Sequence, residues 1–550
     1  MIRMDDYLEL IQIRTYKHLE IYENEWNTIL EKNNNSNPFI EYAFVYNWWR
    51  ILGLEQQIEI YAVKEHNRII AFFPFQFEKK WFGYMVHFLA LGDANYMDFI
   101  VRKVDKSRAI MYLFDELIKL KKSAVFNLHG LLESTDTPNI LSDYLKVRNM
   151  KQRYNRIETP YVNLQNMDFE DYMKPRRKMH GMDRREKRLR ALGDVSLQIA
   201  SASVMDKIVK MHKKRWEKKN DTSGFSSERK QVFFRYLAEQ KPDKMGVRLS
   251  TLLVGDEIIA FTYGFTCRGR YMGYVLGHNS DFDCYGPGRL LIKEKIQRCL
   301  VDNFQKLDMS IGYEPYKFDW NTNLDYTRKT IFSTNTIRAK AFRNFLWVKE
   351  MLIAKIKKYR FFVLFRRNTI GKLKYLIRNK WEVQVWKSLW KEKIVPFFYE
   401  KKEYVIVKLS DSELKKVSNF KEITTQMVLT CTNNRNEMLQ KIYNGYIGHY
   451  TSTIQDAFWV NKNVIRLEDI ELVSNLKKRS VYIRDWKKEN LEDIISFVQT
   501  QYGVKYIYMH VNRKDFASVV ALEYAGFLWE EKLTYSRKLG RAKLEKVVAN

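Results

Sequence analysis

Residues 271–291 read YMGYVLGHNSDFDCYGPGRLL, an apolar run that breaks at Gly277 and restarts behind a Gly-Pro-Gly step as an amphipathic repeat. The spacing predicts a strand over Arg270–Leu276, a loop from Gly277 to Gly286, a helix over roughly Arg289–Phe304 and a further strand at Leu307–Gly312. Glycines where a strand turns into a helix let backbone N–H groups converge, and the helix amino terminus adds partial positive charge. Such a turn is an anion cradle. A pyrophosphate is its natural guest, and Arg289 supplies a charge-assisted contact.

Working outward, Val195–Ala200, Val247–Val254 and Ile258–Cys267 read as strands, and Gly255-Asp256-Glu257 and Arg268-Gly269 have hairpin lengths. Val204–Lys218 and Arg229–Glu239 are helical by period, which gives an antiparallel sheet with a helix after its fourth strand. The stretch before it alternates in the same way. Helices are expected over Leu19–Lys32, around Trp48 and Trp49, and over 108–122, with strands at Ile58–Val63, Ile69–Phe77 and Ala124–Leu128. The mostly apolar strands predict burial on both faces.

The 550 residues carry 95 Lys and Arg against 65 Asp and Glu, a net of +30, so anionic partners are expected. With 45% hydrophobic residues, a disordered chain is excluded. Cys267, Cys284, Cys299 and Cys431 have no zinc-ligand spacing and no disulfide pattern, so no metal is expected and a reducing compartment is. The opening MIRMDDYLEL lacks a signal-peptide order, and no stretch reaches the ~18 apolar residues of a spanning helix. The expected location is the cytoplasm, including the inner face of the plasma membrane. The charge is concentrated. Residues 338–393 hold 17 Lys and Arg against three Glu, a net of +14, and Lys174–Arg190 holds nine against Asp183 and Glu186, a net of +7. Ile377, Trp381, Val385 and Leu389 share a helical face, so the first of these segments reads as a basic amphipathic helix for an anionic membrane surface or for packing on its neighbours.

Several short motifs occur in order: Arg215-Trp216, Phe225, Phe233-Phe234, Gly246–Leu249, Gly255, Gly286-Pro287-Gly288-Arg289-Leu290-Leu291 and Gly312–Trp320. Upstream stand Asn37-Pro38-Phe39, Trp48-Trp49, Pro74-Phe75, and Phe88–Gly92 leading to Asp98. Over about residues 37–335 this series resembles GNAT-superfamily acyltransferases, nearest to the subgroup associated with cellulose and exopolysaccharide biosynthesis and related to the Fem-type aminoacyltransferases. The end of the chain (Tyr506–Val511, Asn512, Ala517, Tyr524–Phe527 and Tyr535) resembles the last strand, helix and strand of a GNAT domain.

The resemblance implies an α/β chain of tandem GNAT-like domains at 1–160 and 161–337, a basic helical segment at 338–401, and a third GNAT-like domain at 402–550 without its own coenzyme A site. It implies transfer from acetyl-coenzyme A or another acyl-coenzyme A to an amine or hydroxyl of a saccharide or amino sugar in envelope or exopolysaccharide assembly. Backbone N–H of the strand before the turn would polarise the thioester carbonyl. Leu276, Gly286, Gly288, Arg289 and Leu290 would hold the coenzyme. Glu314 is the candidate base, and Tyr316 and Lys317 would orient the acceptor or protonate the leaving thiolate. Asp283 stands where such loops usually have Arg or Gln, which disfavours a pyrophosphate there. A Fem-type donor, aminoacyl-tRNA, is the alternative, with Lys174–Arg190 on the RNA; a non-catalytic membrane-surface scaffold is another. Cys284 and His278 read as packed or loop residues rather than as catalysts.

Overall fold

The computed structural model describes residues 8–218, 224–225, 227–241, 243–358, 395, 399–410, 419–431, 433–538 and 541–548. The chain divides into two units. The larger comprises residues up to 184, 195–279 and 287–372; the smaller comprises 185–194, 280–286 and the chain from 373 onward.

The larger unit is built on one 13-stranded sheet. Its strands are β1 (Leu8–Ile13), β2 (Gln57–Glu65), β3 (Arg68–Lys80), β4 (Gly83–Phe88), β5 (Ile100–Val101), β6 (Ala124–Leu132), β7 (Gln152–Asn163), β8 (Val195–Ala200), β9 (Met245–Val254), β10 (Glu257–Cys267), β11 (Arg270–His278), β12 (Lys306–Asp308) and β13 (Asn323–Ser333). They lie in the order β1-β2-β3-β4-β6-β13-β7-β12-β11-β10-β9-β8, with β5 beside β3.

This order is a palindrome in structure. In each half four strands run antiparallel, and a 15-residue helix then carries the chain to a fifth strand parallel to the fourth. The helix Lys106–Leu120 joins β4 to β6, and the helix Pro287–Val301 joins β11 to β12. The hairpin turns follow from local chemistry. His66-Asn67 and Arg268-Gly269 have positive φ at both positions, as a two-residue turn matching the strand twist requires.

The halves are joined by an exchange of their last strands. β7 follows the first repeat in sequence yet pairs with β12 of the second, while β13 follows the second and pairs with β6 of the first. β7 and β13 pair with each other over ten positions, from Asn323↔Tyr161 to Phe332↔Gln152. The sequence division at residue 160 therefore falls inside β7, in the middle of a shared sheet. The expected strand Leu307–Gly312 is shorter than its apolar pattern suggests. It ends at Asp308 because Ser310 and Gly312 take positive φ, which a ladder does not accommodate.

The helix Ile337–Lys358 covers part of the basic segment. Phe342, Leu346 and Trp347 pack on Phe82, Met85, Val125 and Ile331, whereas Phe345, Val348, Leu352 and Ile356 are exposed. The face made by Ile377, Trp381, Val385 and Leu389 lies outside the described residues. Among the described residues no helix is long and apolar enough to cross a membrane.

The smaller unit carries an eight-stranded sheet in the order Lys421–Glu422, Ile447–Tyr450, Phe458–Asn461, Ser480–Arg484, Tyr506–Asn512, Tyr399–Ser410, Leu528–Lys538, Arg541–Val548. Ser480–Arg484 and Tyr506–Asn512 are parallel, joined through the helix Leu491–Tyr502, so the antiparallel–helix–parallel plan appears a third time. Across these two strands the Tyr482 hydroxyl lies 2.7 Å from His510 Nδ1.

Exchange of β7 and β13 predicts that neither repeat folds alone. A fragment of residues 1–165 leaves β6 without β13 and β7 without both neighbours. It should show no cooperative urea transition, whereas residues 1–358 should. Cooperative unfolding of the 1–165 fragment would contradict the exchange.

Candidate active site

β11 and β12 are hydrogen-bonded neighbours for three residue pairs, Arg270↔Lys306, Tyr271↔Leu307 and Met272↔Asp308. Beyond Met272 they part. A cavity of about 390 Å³ opens in the gap, and its walls are Gly273–Leu276 on one side and Met309–Ile311 on the other. The β12-facing backbone groups of Gly273–Leu276 therefore have no strand partner. At the same place β11 carries a bulge. Gly264 pairs with Gly273 and Tyr263 with Val275, so Tyr274 is an extra residue that redirects the backbone N–H groups around it. Gly264 is needed here, because a Cβ would lie 2.2 Å from the Tyr271 hydroxyl.

The first repeat props this opening. The Asn95 amide donates to Ser310 Oγ at 2.5 Å, the Tyr96 hydroxyl donates to Asp308 Oδ1 at 2.8 Å, and the Tyr274 hydroxyl donates to the Asp93 carbonyl at 2.8 Å. Asp93 is itself held by Lys230 at 2.5 Å and by the Trp48 indole at 3.1 Å. Asn95 lines the cavity; on the other side stand His212 and Trp216, with the Trp216 indole donating to His212 Nε2 at 2.9 Å.

Four of the residues singled out from sequence, Leu276, Glu314, Tyr316 and Lys317, line this cavity. Glu314 stands at the N-cap position of the short helix Pro315–Trp320 without a capping hydrogen bond from its side chain, which is half-exposed. The Lys317 ammonium is buried and spans three acceptors: Glu314 Oε2 at 2.8 Å, the Ile311 carbonyl at 2.7 Å and the Ser310 carbonyl at 3.3 Å. It ties the carboxylate to the irregular turn after β12, so it orients Glu314 rather than reaching outward for a substrate. Burial, reinforced by the Glu314 charge, pushes the Tyr316 phenol up to about 12. Tyr316 therefore keeps its proton across the neutral range and can donate it.

The turn into the helix Pro287–Val301 differs from an open glycine cradle. Gly286 has φ +66°, and its N–H is used on the Asp283 carbonyl at 3.2 Å. The preceding residues form a short helical turn, Ser280–Tyr285, in which Asp281, Phe282 and Tyr285 are buried. The Asp281 carboxylate is 3.0 Å from Arg435, and the Tyr285 hydroxyl donates to the Leu439 carbonyl at 3.2 Å. Free donors for an anion are left to the first helical turn, at the N–H groups of Gly288 and Arg289, because in a helix that begins at Pro287 the Leu290 N–H closes the first turn on the Gly286 carbonyl. A Cβ on Gly288 would sit 3.4 Å from His278 Nδ1 and 3.6 Å from Leu276, so a small residue keeps this approach open. Arg289 does not stand free for a phosphate. Its guanidinium is paired with Asp319 Oδ2 at 2.8 Å, an oxygen that also lies 3.3 Å from His180 Nε2. Leu290 is a core residue. Burial raises the Cys284 thiol to about 11, which leaves it protonated and a poor nucleophile.

Reading the sequence alone misses Lys295, at the cavity wall in mid-helix. It is 3% exposed, and burial lowers its ammonium to about 8 from an ordinary 10.5. Apolar spacing hides it, because a lysine between Ile292 and Ile296 reads as the edge of an amphipathic face. Asp308 and Asn95 are missed for another reason: only the exchanged sheet brings the 93–96 loop to the end of β12. Among the described residues no cluster of His, Cys, Asp and Glu could hold a metal ion.

Residues 176–318 match the model of the acetyltransferase (GNAT) domain family. No curated protein matches the chain significantly. Among solved structures, FemX is 8% identical and covers 61% of this chain and 99% of its own, with a TM-score of 0.42. A tandem GNAT protein from the clavulanic acid biosynthesis pathway is 9% identical over 59% of this chain and 98% of its own, at a TM-score of 0.37. A GCN5-related N-acetyltransferase from Sphaerobacter thermophilus is 10% identical over 59% and 95%, at 0.31.

A buried lysine with a lowered ionisation point gives a signed prediction. Between pH 8 and 10.5 the unfolded chain binds the Lys295 proton and the folded chain does not, so stability rises with pH through that window. Below pH 8 both states are charged and the desolvation cost is carried in full. The stability difference between Lys295→Met and the wild type should therefore shrink by a few kcal/mol, at about 1.4 kcal/mol per unit, from pH 8 to 10.5. Urea unfolding at three pH values measures it, and a flat difference would show that Lys295 is well solvated. From the parted strands and the family match over 176–318, the second repeat is an acyltransferase domain of the GNAT type.

Proposed function

We propose that the protein moves an acyl group from acyl-coenzyme A to an amine or hydroxyl of a saccharide-type acceptor, in the gap between β11 and β12. The observation that carries this reading is the convergence, on one cavity, of the bulged edge at Gly273–Leu276 and the Glu314–Tyr316–Lys317 group. The thioester arm would lie as a strand in the gap, hydrogen-bonded to the unpaired edge of β11. N–H groups at the Tyr274 bulge would hold the carbonyl oxygen as it gains charge. Glu314, fixed by Lys317, would take the proton of the attacking amine or hydroxyl. As the carbon–sulfur bond breaks, Tyr316 would protonate the thiolate. Gly288 and Arg289 N–H groups would meet the pyrophosphate. Gly286 supplies the turn rather than a contact, and Leu290 packs the helix start.

An amino sugar or other saccharide is the acceptor class we favour, because the mouth combines Trp216 with Asn95 and Glu314, a flat apolar face beside hydrogen-bonding groups. Envelope or exopolysaccharide assembly at the inner face of the membrane fits the exposed Phe345, Val348, Leu352 and Ile356 of the basic helix. A second reading has one observation in its favour. Arg289 is already neutralised by Asp319, which costs an acyl-coenzyme A site a phosphate contact but costs an aminoacyl-tRNA donor nothing. On that reading Arg176, Arg177 and Lys178 would face RNA.

Acetyl-coenzyme A at millimolar concentration should raise the melting temperature by several degrees, and Gly288→Glu should abolish the shift by placing a carboxylate at the helix start. Glu314→Gln should lower acceptor-dependent release of coenzyme A about hundredfold while leaving the thermal shift in place. Absence of a shift, together with tRNA binding that weakens steeply with salt, would move the assignment to the aminoacyl-tRNA reading.

A further inference from the structure

The two repeats place different residues at one position. The helices Lys106–Leu120 and Pro287–Val301 are each 15 residues long and occupy corresponding places in the palindromic sheet. The ninth residue is Phe114 in the first and Lys295 in the second. Phe114 is fully buried and packs edge-on against Phe99, Phe126 and Phe332. A core position has thus been given a cation, and the same helix face now lines a cavity.

That cation is incompletely matched. An ammonium has three donors. Among the described residues, Lys295 Nζ gives one hydrogen bond, to Ser250 Oγ, and lies 4.2 Å from the centre of the Tyr271 ring. Among the described residues no carboxylate is within ion-pair distance of it. Ser250 and Tyr271 are themselves buried, and Tyr271 uses its hydroxyl on Thr262 at 3.0 Å. Burying a charge with so few partners is costly unless a counter-charge arrives with a ligand. Leu276, Ile292 and Leu307 give the cavity an apolar wall. That wall beside a desolvated cation suits a short aliphatic chain that ends in an anion; Lys317, the other buried ammonium on this cavity, is already paired with Glu314.

We propose that the cavity selects acyl groups ending in a carboxylate, such as short dicarboxylic acyl thioesters, and that Lys295 binds that carboxylate. This rests on the acyl-coenzyme A reading above. The methylene chain would lie against Leu276, Ile292 and Leu307, and the terminal carboxylate would accept from Lys295 Nζ beside Ser250.

Calorimetric titration of the full chain with coenzyme A, butyryl-coenzyme A and succinyl-coenzyme A separates the two levels of the argument. Succinyl-coenzyme A should bind the wild type at least tenfold more tightly than butyryl-coenzyme A, and Lys295→Met should erase or invert that ratio. Ser250→Ala, which keeps the charge, should retain a preference for succinyl, and it serves where the methionine variant does not fold. Binding of coenzyme A with equal affinities for the succinyl and butyryl thioesters in the wild type overturns this inference and leaves the acyl-coenzyme A reading intact. Failure of coenzyme A and both thioesters to bind overturns both.

Discussion

Three residue pairs hold β11 against β12, and everything assigned to the second repeat depends on that ladder stopping at Met272 and Asp308. Had it continued, Gly273–Leu276 would spend their N–H and C=O groups on β12 and there would be neither a gap nor a free edge. Several features keep the strands apart. The Tyr274 bulge turns the edge of β11, and the positive φ of Ser310 and Gly312 takes the chain away from the ladder. Lys317 then collects the carbonyls that this turn exposes. Asn95 and Tyr96 of the first repeat brace the other side.

The repeats are alike in plan and unlike in use. In the first, β3 and β4 pair without a register shift, and Phe75, Phe88, Phe99 and Phe114 close over the strand end with ring centres 5.3–6.5 Å apart. Apolar packing of that kind stabilises the sheet and covers the strand end with aromatic side chains. In the second, glycine stands at 264 and 273, lysine stands in the place of Phe114, and the strand end is open. The exchange of β7 and β13 explains why both copies are retained. The closed copy supplies the partner strand of the open one, and its 93–96 loop supplies part of the cavity wall.

How much of this was legible in the sequence follows from the range of each interaction. Hairpins came through because Gly255-Asp256 and Arg268-Gly269 are local turn chemistry, and β9 to β11 came through because their apolar runs are continuous. The positions of Glu314, Tyr316 and Lys317 at a strand end were readable from the motif they share. Strand exchange was not readable: neither Gln152–Asn163 nor Asn323–Ser333 carries a clean alternation, and their pairing is set by partners on opposite halves of the chain. Arg289 misled for a related reason. Its partner Asp319 is thirty residues away, so a cation at a helix start looked available when it was already paired. Lys295 was invisible because spacing shows which face a residue is on and says nothing of what lies opposite.

Hydrogen–deuterium exchange with and without acetyl-coenzyme A tests most directly whether the gap in the second repeat is where the donor lies. Amides of Gly273–Leu276 and Met309–Ile311 should be slowed when the thioester is bound, while those after Phe88 and after Arg484, at the corresponding strand ends, keep their free rates. Protection appearing at either of those other strand ends, with none at 273–276, would contradict the account.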